Sequence, residues 1–384
     1  ALDNRTDCMV FSLSKAQRIH VGAYSAPFVL YVARDNMEIP TVFGALKDYF
    51  GDRVAVLEPN PDVLMFYKAY RRGDVGARVR TLWRMCSGDL DCVVTTPQAL
   101  MQYYPRPDRL ARSVLSLQTG QTCDRDALIA SLARMGYRRE SVVEEKNTFC
   151  VAGDTLSVFA PDREMPVRIS FFDDEIESMK YFEPQSRMSA NAVSELTLLP
   201  DNDLLFDDAE WERALDKARK ETGKLSAQAM TRVTAIVDAL AEQSVCSQQM
   251  QWLIPYLSDR LTTIFEYLPQ RHVVVLDEPS AVAKQMEMFE QEHLVRVKTL
   301  AQDGDVLRAH AKSVLSRAQT KQLLDRAIKL GFGNITATNT LFAPKATFEI
   351  KTASLSAYHY NYEELGHDLR TFVNGRFTVA ICMG

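Results

Sequence analysis

The chain has 384 residues, of which 46% are hydrophobic and 25% charged, with 16 glycines and 15 prolines. This composition excludes a disordered, collagen-like or low-complexity protein, and the length suffices for about two or three domains that each bury a core. The 45 basic and 50 acidic side chains give a net charge of −5. No overall positive field therefore attracts a nucleic-acid backbone, and any contact with DNA has to be local.

The cysteines and histidines predict neither a disulfide framework nor a metal site. Seven cysteines are scattered without a Cys-x-x-Cys pair, and the six histidines form no cluster at zinc-ligand spacing. The chain has neither an apolar run of about 18 residues nor a charged-then-apolar leader. We therefore expect a cytoplasmic protein that binds no metal and no membrane. Because the sequence starts at Ala1 and stops in the apolar run FTVAICMG, we also expect it to be part of something longer.

In the first hundred residues, short apolar runs alternate with amphipathic stretches. Four runs predict buried strands: CMVF (8–11), FVLYVA (28–33), RVAVLEP (53–59) and DCVVTTP (91–97). Three stretches predict helices: 15–25, with Ile19 and Tyr24 facing inward; 41–50, with Val42, Leu46 and Tyr49 near one stripe; and the arginine-rich 75–86. Continuous apolar strands that alternate with helices are typical of a parallel sheet covered on both faces.

The pattern changes after Pro105 and Pro107, which we interpret as a linker. A helix is predicted over 124–135, and Gly136 suits a left-handed cap at its end because it has no Cβ. Five strands then follow without intervening helices: TFCVA (148–152), TLSVF (155–159), VRISFF (167–172), IESMKYF (176–182) and VSELTLL (193–199). Consecutive short strands indicate an antiparallel sheet in a separate α+β module.

The rest of the chain returns to α/β character. Residues 207–268 are predicted to be helical, and VVVL (273–276) is predicted to be a buried strand. The simplest topology inserts an α+β module, 111–200, between the two parts of an α/β domain, 1–110 and 201–345. We expect 346–384 to be the truncated start of a following α/β domain.

One segment, PVRISFFDDEIESMKYFEP (166–184), carries a resemblance to a known family. It resembles the UvrA-binding module of bacterial nucleotide excision repair proteins, which occurs in UvrB and in the transcription-repair coupling factors (Mfd proteins). The runs TTIFEYLPQRHVVVLDEP (262–279) and FVNGRFTVAICMG (372–384) are similar to the coupling factors. The resemblance implies a degenerate P-loop (RecA/helicase-like) domain with an inserted UvrA-binding module, as in the amino-terminal region of a coupling factor.

The turn FSLSKAQR (11–18) distinguishes the two families. A working phosphate loop reads GxxxxGK followed by Ser or Thr, and its glycines let backbone N–H groups close on phosphate. Here both glycines are absent and Lys15 is followed by Ala16. We therefore predict a degenerate nucleotide site at Ser12, Lys15, Asp277 and Glu278 that holds no ATP or other cofactor and no catalytic residue. Asp277 and Glu278 resemble a residual DExx motif; the alternative is a helix N-cap before Pro279.

Two further features bear on DNA. The interval 67–83 is too short for the damage-probing hairpin of UvrB, which also favours the coupling factors. Five arginines form a concentrated basic stretch: Arg71, Arg72, Arg78, Arg80 and Arg84. A solvated helix face is one interpretation of this stretch, and a DNA contact is the other.

Strand alternation places Arg168 and Phe172 on the face of VRISFF that points away from the core. A large apolar group beside a cation on a solvent face is typical of an interface anchor. The resemblance implies that these two residues bind UvrA. In the alternative, Phe172 packs under the next turn and Arg168 pairs with Asp173 or Asp174.

A third position of the motif departs from the family. Ala152 stands where many relatives carry an arginine, so Arg138 and Arg139 become further candidates for UvrA binding.

The resemblance implies a recruitment function without catalysis. The full-length family protein recognises RNA polymerase stalled at a lesion, displaces it with an ATP- and Mg-dependent motor on double-stranded DNA, and delivers UvrA. That motor would lie beyond residue 384. One alternative is a UvrB-like ATP-dependent enzyme that loads on damaged DNA, and another is a scaffold whose module packs only against its own later domains.

Overall fold

The computed structural model describes residues 6–60, 73–186, 188–222, 226–242, 248–333, 341–350, 358 and 361–379. The chain divides into two compact units, Ala1–Glu349 and Ile350–Gly384. None of the helices in the described ranges has the length and apolarity that a membrane crossing requires.

Strands and helices are each numbered in chain order. The strands are β1 (Cys8–Phe11), β2 (Phe28–Val32), β3 (Val54–Leu57), β4 (Cys92–Thr95), β5 (Leu115–Gln118), β6 (Arg138–Arg139), β7 (Thr148–Ala152), β8 (Thr155–Phe159), β9 (Val167–Phe172), β10 (Glu175–Phe182), β11 (Ser189–Ala192), β12 (Glu195–Leu198), β13 (His272–Asp277), β14 (Lys329–Gly333) and β15 (Ala346–Glu349). The helices are α1 (Lys15–Ala23), α2 (Ile39–Phe50), α3 (Gly73–Cys86), α4 (Pro97–Leu100), α5 (Pro107–Arg112), α6 (Arg125–Arg134), α7 (Asp208–Thr222), α8 (Ala227–Ala241), α9 (Ile254–Leu257), α10 (Pro279–Asp303), α11 (Arg317–Leu324) and α12 (Tyr362–Asn374).

Seven strands form one sheet in the order β15-β1-β14-β13-β2-β4-β3, and every neighbouring pair is parallel. All residues of β2, β4 and β14 are buried, because one apolar cluster covers each face of the sheet. Leu30 and Val93 face one cluster, and Val29 and Val94 face the other. The prediction of an α/β fold with a covered parallel sheet is confirmed.

Two predicted core positions on the helices are wrong. Tyr24 and Tyr49 lie at the surface, with 75% and 41% of their area exposed. Tyr24 follows the last residue of α1, so it has left the buried stripe that contains Ile19. Instead the two tyrosine rings contact edge to face, with centroids 5.9 Å apart, beside His20.

Six strands form a second sheet in the order β11-β10-β9-β8-β7-β6. Its pairs are antiparallel except β6 with β7. Helix α6 covers one face, burying Leu128 and Leu132 against the strands. The Asp124 side chain caps the start of α6, and Gly136, at φ +94°, follows its end as predicted.

One predicted strand of this sheet pairs elsewhere. Residues Glu195–Leu198, within the predicted run 193–199, form a separate two-stranded antiparallel sheet with β5. This small sheet contributes Leu117, Leu196 and Leu198 to the core under the six-stranded sheet.

A further core lies among helices α7 to α10. Of these, α7, α8 and α9 lie within 207–268, the range predicted to be helical. Trp211, Leu215 and Trp252 are almost completely buried there.

At the end of the first unit, Ala346–Glu349 pairs with β1. The division into 1–110, 111–200, 201–345 and 346–384 stays a prediction. In the second unit, the Asn361 side chain caps α12.

Candidate functional site

The outer face of β9 presents the two residues predicted to bind a partner. Val167, Ile169 and Phe171 are buried on the inner face, whereas Phe172 is 71% exposed and Arg168 is half-buried on the outer face. Phe172 therefore does not pack under the following turn. Within the described residues, Arg168 forms no ion pair with Asp173 or Asp174.

Arg168 is held in place by an aromatic ring. Its guanidinium carbon lies 4.8 Å from the ring centroid of Phe182, a cation–π contact. Phe182 belongs to a small apolar cluster with Val143 and Phe159 on this outer face. Sequence reasoning missed the cluster: alternation marks Phe159 as outward, but a register shift between Ile176 and Ser178 changes the phase of β10 and turns Phe182 outward.

A second cation stands directly opposite Arg168. The register of β9 and β10 pairs Arg168 with Lys180, whose side chain is exposed, and β8 places Ser157 on the other side. The side chains of Arg168 and Lys180 form no ion pair with any described residue. Lys180 was not a predicted site residue, because only the hairpin register makes it a neighbour of Arg168.

The two further arginine candidates lie on opposite sides of the sheet. Arg138 is paired with Thr148, and Thr148 is paired with Phe159 of β8. Arg138 therefore lies on the same outer face of the sheet as Arg168. Three strand spacings, or about 14 Å, separate it from Arg168. Its guanidinium pairs with Glu145 at 3.1 Å. Arg139 aligns with Phe149, whose side chain enters the core, so Arg139 does not share the face of Arg168.

The turn between β1 and α1 contains a backbone conformation that glycine adopts more readily than other residues. Ser12 has φ +67°, in the left-handed region that residues with a Cβ rarely adopt. Ser14 precedes α1, and its backbone N–H donates to Oε1 of Gln17 at 2.9 Å. Lys15 is thus the first residue of the helix.

Lys15 is already engaged by two carboxylates. Its Nζ lies 2.7 Å from Oδ2 of Asp277 and 2.7 Å from Oε2 of Glu38. Arg18 also donates to Asp277 at 2.8 Å, and the Tyr31 hydroxyl donates to it at 2.9 Å. Three donors thus surround one carboxylate that is almost completely buried.

This network determines the charge of Asp277. Burial favours the neutral acid, but hydrogen bonds from Lys15, Arg18 and Tyr31 outweigh it and hold the pKa of Asp277 below its usual value. The carboxylate is therefore ionised at neutral pH. Its negative charge holds the ammonium of Lys15.

Glu278 stands at the N-cap position of α10 without capping it. Its φ is +60°, its side chain makes no cap hydrogen bond, and its carboxylate lies 3.3 Å from Arg18 and 3.6 Å from Arg34. Gly331 of β14 lets Pro279 approach the sheet, since a Cβ at Gly331 would lie 2.9 Å from Pro279 Cγ. The structure thus brings Lys15, Asp277 and Glu278 together in one ion-pair network.

The arginine-rich stretch is not a uniform solvated face. Arg78 is buried, and its guanidinium pairs with Asp203 at 2.9 Å. Arg84 donates to the carbonyl oxygens of Asp52 and Asp89, whereas Arg80 is exposed. The first two arginines of the stretch, at 71 and 72, lie outside the described residues. In the described ranges, no three metal-ligating side chains gather at one point.

The chain is similar to known proteins of two related families. The family model of the UvrB interaction domain matches residues 115–204, which run from β5 past β12. The chain is 38% identical over 276 residues to the transcription-repair-coupling factor of Myxococcus xanthus, a match covering 68% of this chain and 23% of that protein. It is 22% identical over 364 residues to the coupling factor of Bacillus subtilis, covering 91% and 30% respectively.

A UvrB protein also matches. The UvrABC system protein B of Bifidobacterium longum is 26% identical over 231 residues, which is 56% of this chain and 33% of that protein. The chain thus spans a third or less of these relatives. It carries a UvrB interaction domain beside a parallel α/β sheet and is similar to UvrB proteins. The chain is also related to the transcription-repair coupling factors, which confirms the resemblance drawn from its motifs.

Proposed function

We propose that this chain recruits UvrA, and thereby nucleotide excision repair, to lesions at which RNA polymerase has stalled. The observation that carries the proposal is the exposed aromatic ring of Phe172 on the same outer face as Arg168, within the UvrB interaction domain. An exposed aromatic beside a fixed arginine is the composition of an interface anchor. With ten basic and fourteen acidic side chains, residues 111–200 carry a net charge of −4, which favours a protein partner over a phosphate backbone.

The activities of the whole protein belong to the same proposal. Recognition of RNA polymerase and translocation on double-stranded DNA, with ATP and Mg²⁺, would reside outside this chain. The protein would work in the cytoplasm, and this region would act without catalysis.

Removing the anchor is expected to weaken UvrA binding. Phe172→Ala and Arg168→Ala should each cost about 2 kcal/mol, or roughly thirtyfold in Kd, because each removes a contact at the centre of the proposed interface. Calorimetric titration of UvrA into the folded variants measures the effect. The two residues are neighbours, so the double variant is compared with both single variants and not with their sum.

A matched control accompanies this experiment. Met188 is 70% exposed in the same module but lies outside β9, and Met188→Ala should leave the affinity for UvrA unchanged. Circular dichroism checks that every variant is folded. If the folded double variant binds UvrA as tightly as the parent, the recruitment surface lies elsewhere, and Arg138 is the next residue to test.

We also propose that the turn 11–18 and the ion pairs beside it are a degenerate nucleotide site. Calorimetry with Mg-ATP should give no binding signal, because Lys15 is engaged by Asp277 and Glu38 and no glycine loop is present. A UvrB protein serves as the positive control. Saturable binding near micromolar ATP would contradict the proposal and support the UvrB-like enzyme instead.

A further inference from the structure

The pairing of Arg168 with Lys180 is unfavourable for the isolated sheet. Two like charges directly opposite each other on neighbouring strands repel, and such pairs destabilise a sheet. No described carboxylate neutralises either of them, and the Arg168 guanidinium lies over Phe182, two residues along β10 from Lys180. An uncompensated cation pair on an exposed face indicates that a partner supplies the missing negative charge.

Acidic residues gather at the other end of the same hairpin. Asp173, Asp174 and Glu175 are exposed and form no ion pair within the described part of the chain. Glu175 stands directly opposite Phe172, so the two side chains share a face. Four residues of strand, or about 13 Å, separate this end from Arg168. That distance exceeds the Debye length of about 8 Å at physiological ionic strength, so the acids do not neutralise the cation pair.

From this arrangement we infer that the hairpin carries a polarised stripe, defined as the cation pair Arg168 and Lys180, the apolar anchor Phe172, and the acidic end Asp173, Asp174 and Glu175. The partner surface that fits it has carboxylates opposite the cation pair, an apolar pocket for Phe172, and Lys or Arg opposite the acidic end. This polarity admits one orientation of the partner along the strands, because the reverse orientation places like charges together. Lys180 is therefore a residue that determines specificity.

The inference rests on the proposed function, since it takes UvrA as the partner. Lys180→Ala and Glu175→Gln should each weaken UvrA binding about threefold to tenfold, and Lys180→Glu should weaken it about thirtyfold or more. The Lys180 variants should also show a shallower dependence of the association rate on salt, because they remove part of the steering charge. Stopped-flow or surface-capture kinetics with purified UvrA at several salt concentrations measures both quantities.

Stability provides an independent readout. Lys180→Glu replaces a repulsive cross-strand pair with an attractive one, so its unfolding midpoint should be at least as high as that of the parent. If Lys180→Glu binds UvrA more weakly without losing stability, the loss of affinity arises at the interface. Arg134→Ala is the matched control: it removes an exposed cation from α6, the helix that covers the opposite face of the sheet, and should leave binding unchanged.

The outcomes separate this inference from the proposed function. If the parent does not bind UvrA, the recruitment function fails and the polarised stripe with it. If Arg168→Ala weakens binding but either Lys180→Glu or Glu175→Gln does not, recruitment stands and the polarised stripe is wrong. If the parent binds a double-stranded DNA probe that Lys180→Glu releases, the cation pair contacts phosphate, and the inferred acidic partner surface is wrong.

Discussion

Replacing Asp277 with alanine is expected to destabilise the protein by about 3–5 kcal/mol. The change leaves Arg18, which is 4% exposed, without its main carboxylate, and it removes the acceptor of the buried Tyr31 hydroxyl. A buried charge that loses its main partner is costly because burial has already removed its hydration. Urea unfolding followed by circular dichroism measures the loss.

An exposed ion pair supplies the matched control for Asp277. Asp91 pairs with Arg53 at 2.6 Å, but both side chains are more than a third exposed. Asp91→Ala should therefore cost no more than about 1 kcal/mol. Equal losses in the two variants would show that the network around Asp277 does not hold β1, β13 and α1 together.

The second large effect concerns pH and His310. Burial beside Trp252, with ring centroids 4.4 Å apart, lowers the pKa of His310 to about 4. Its Nε2 has no hydrogen-bond partner in the described structure, and burial outweighs the backbone groups of Leu307 and Trp252 that favour the charged ring. An unfolded histidine has a pKa of about 6.5, so between about pH 6.5 and pH 4 the unfolded chain binds a proton that the folded chain excludes.

The sign of the effect follows from that difference in bound protons. The unfolding free energy should fall as pH falls from about 6.5 to about 4, with a contribution from His310 of up to about 3 kcal/mol. Burial also lowers the pKa of His293, whose ring contacts the His310 carbonyl oxygen, so it adds to the same slope. Denaturant unfolding at pH 7, 6 and 5 measures the slope in the parent and in His310→Asn.

The variant should lose most of the slope, whatever its stability at pH 7. Val306→Ala is the control, since it removes buried apolar volume from the same cluster without removing a titratable group. It should lower the unfolding free energy equally at every pH. An undiminished slope in His310→Asn would assign the pH dependence to other groups.

Local pattern alone predicted much of the six-stranded sheet. The runs TFCVA, TLSVF and VRISFF are strands with the bounds predicted for them, because alternation with a period of two marks a half-buried strand wherever one face is covered. The outward direction of Arg168 and Phe172 follows from the same period. The cap residue Asp124 and the left-handed Gly136 likewise mark the limits of α6 through local backbone chemistry.

Neighbours across strands could not be predicted in this way. Alternation gives the face of Arg168, but the face of Lys180 depends on the register shift between Ile176 and Ser178, and only the β9–β10 register puts the two cations opposite each other. The burial of Phe159 and Phe182 on the outer face depends on a third residue, Val143, that covers them.

The ion-pair network around Asp277 likewise combines features that the sequence determines with contacts that only the fold decides, here between residues far apart in the chain. The sequence determined that the turn 11–18 lacks the phosphate-loop glycines and that an acidic pair follows a buried strand. Lys15 and Asp277 are 262 residues apart, and only the parallel sheet brings the ends of β1 and β13 close enough for a contact of 2.7 Å. Periodicity and turn chemistry act within a few residues, so they determine elements and faces. Register and the contacts between distant elements depend on how the whole chain packs, so the tertiary structure decided which charges meet.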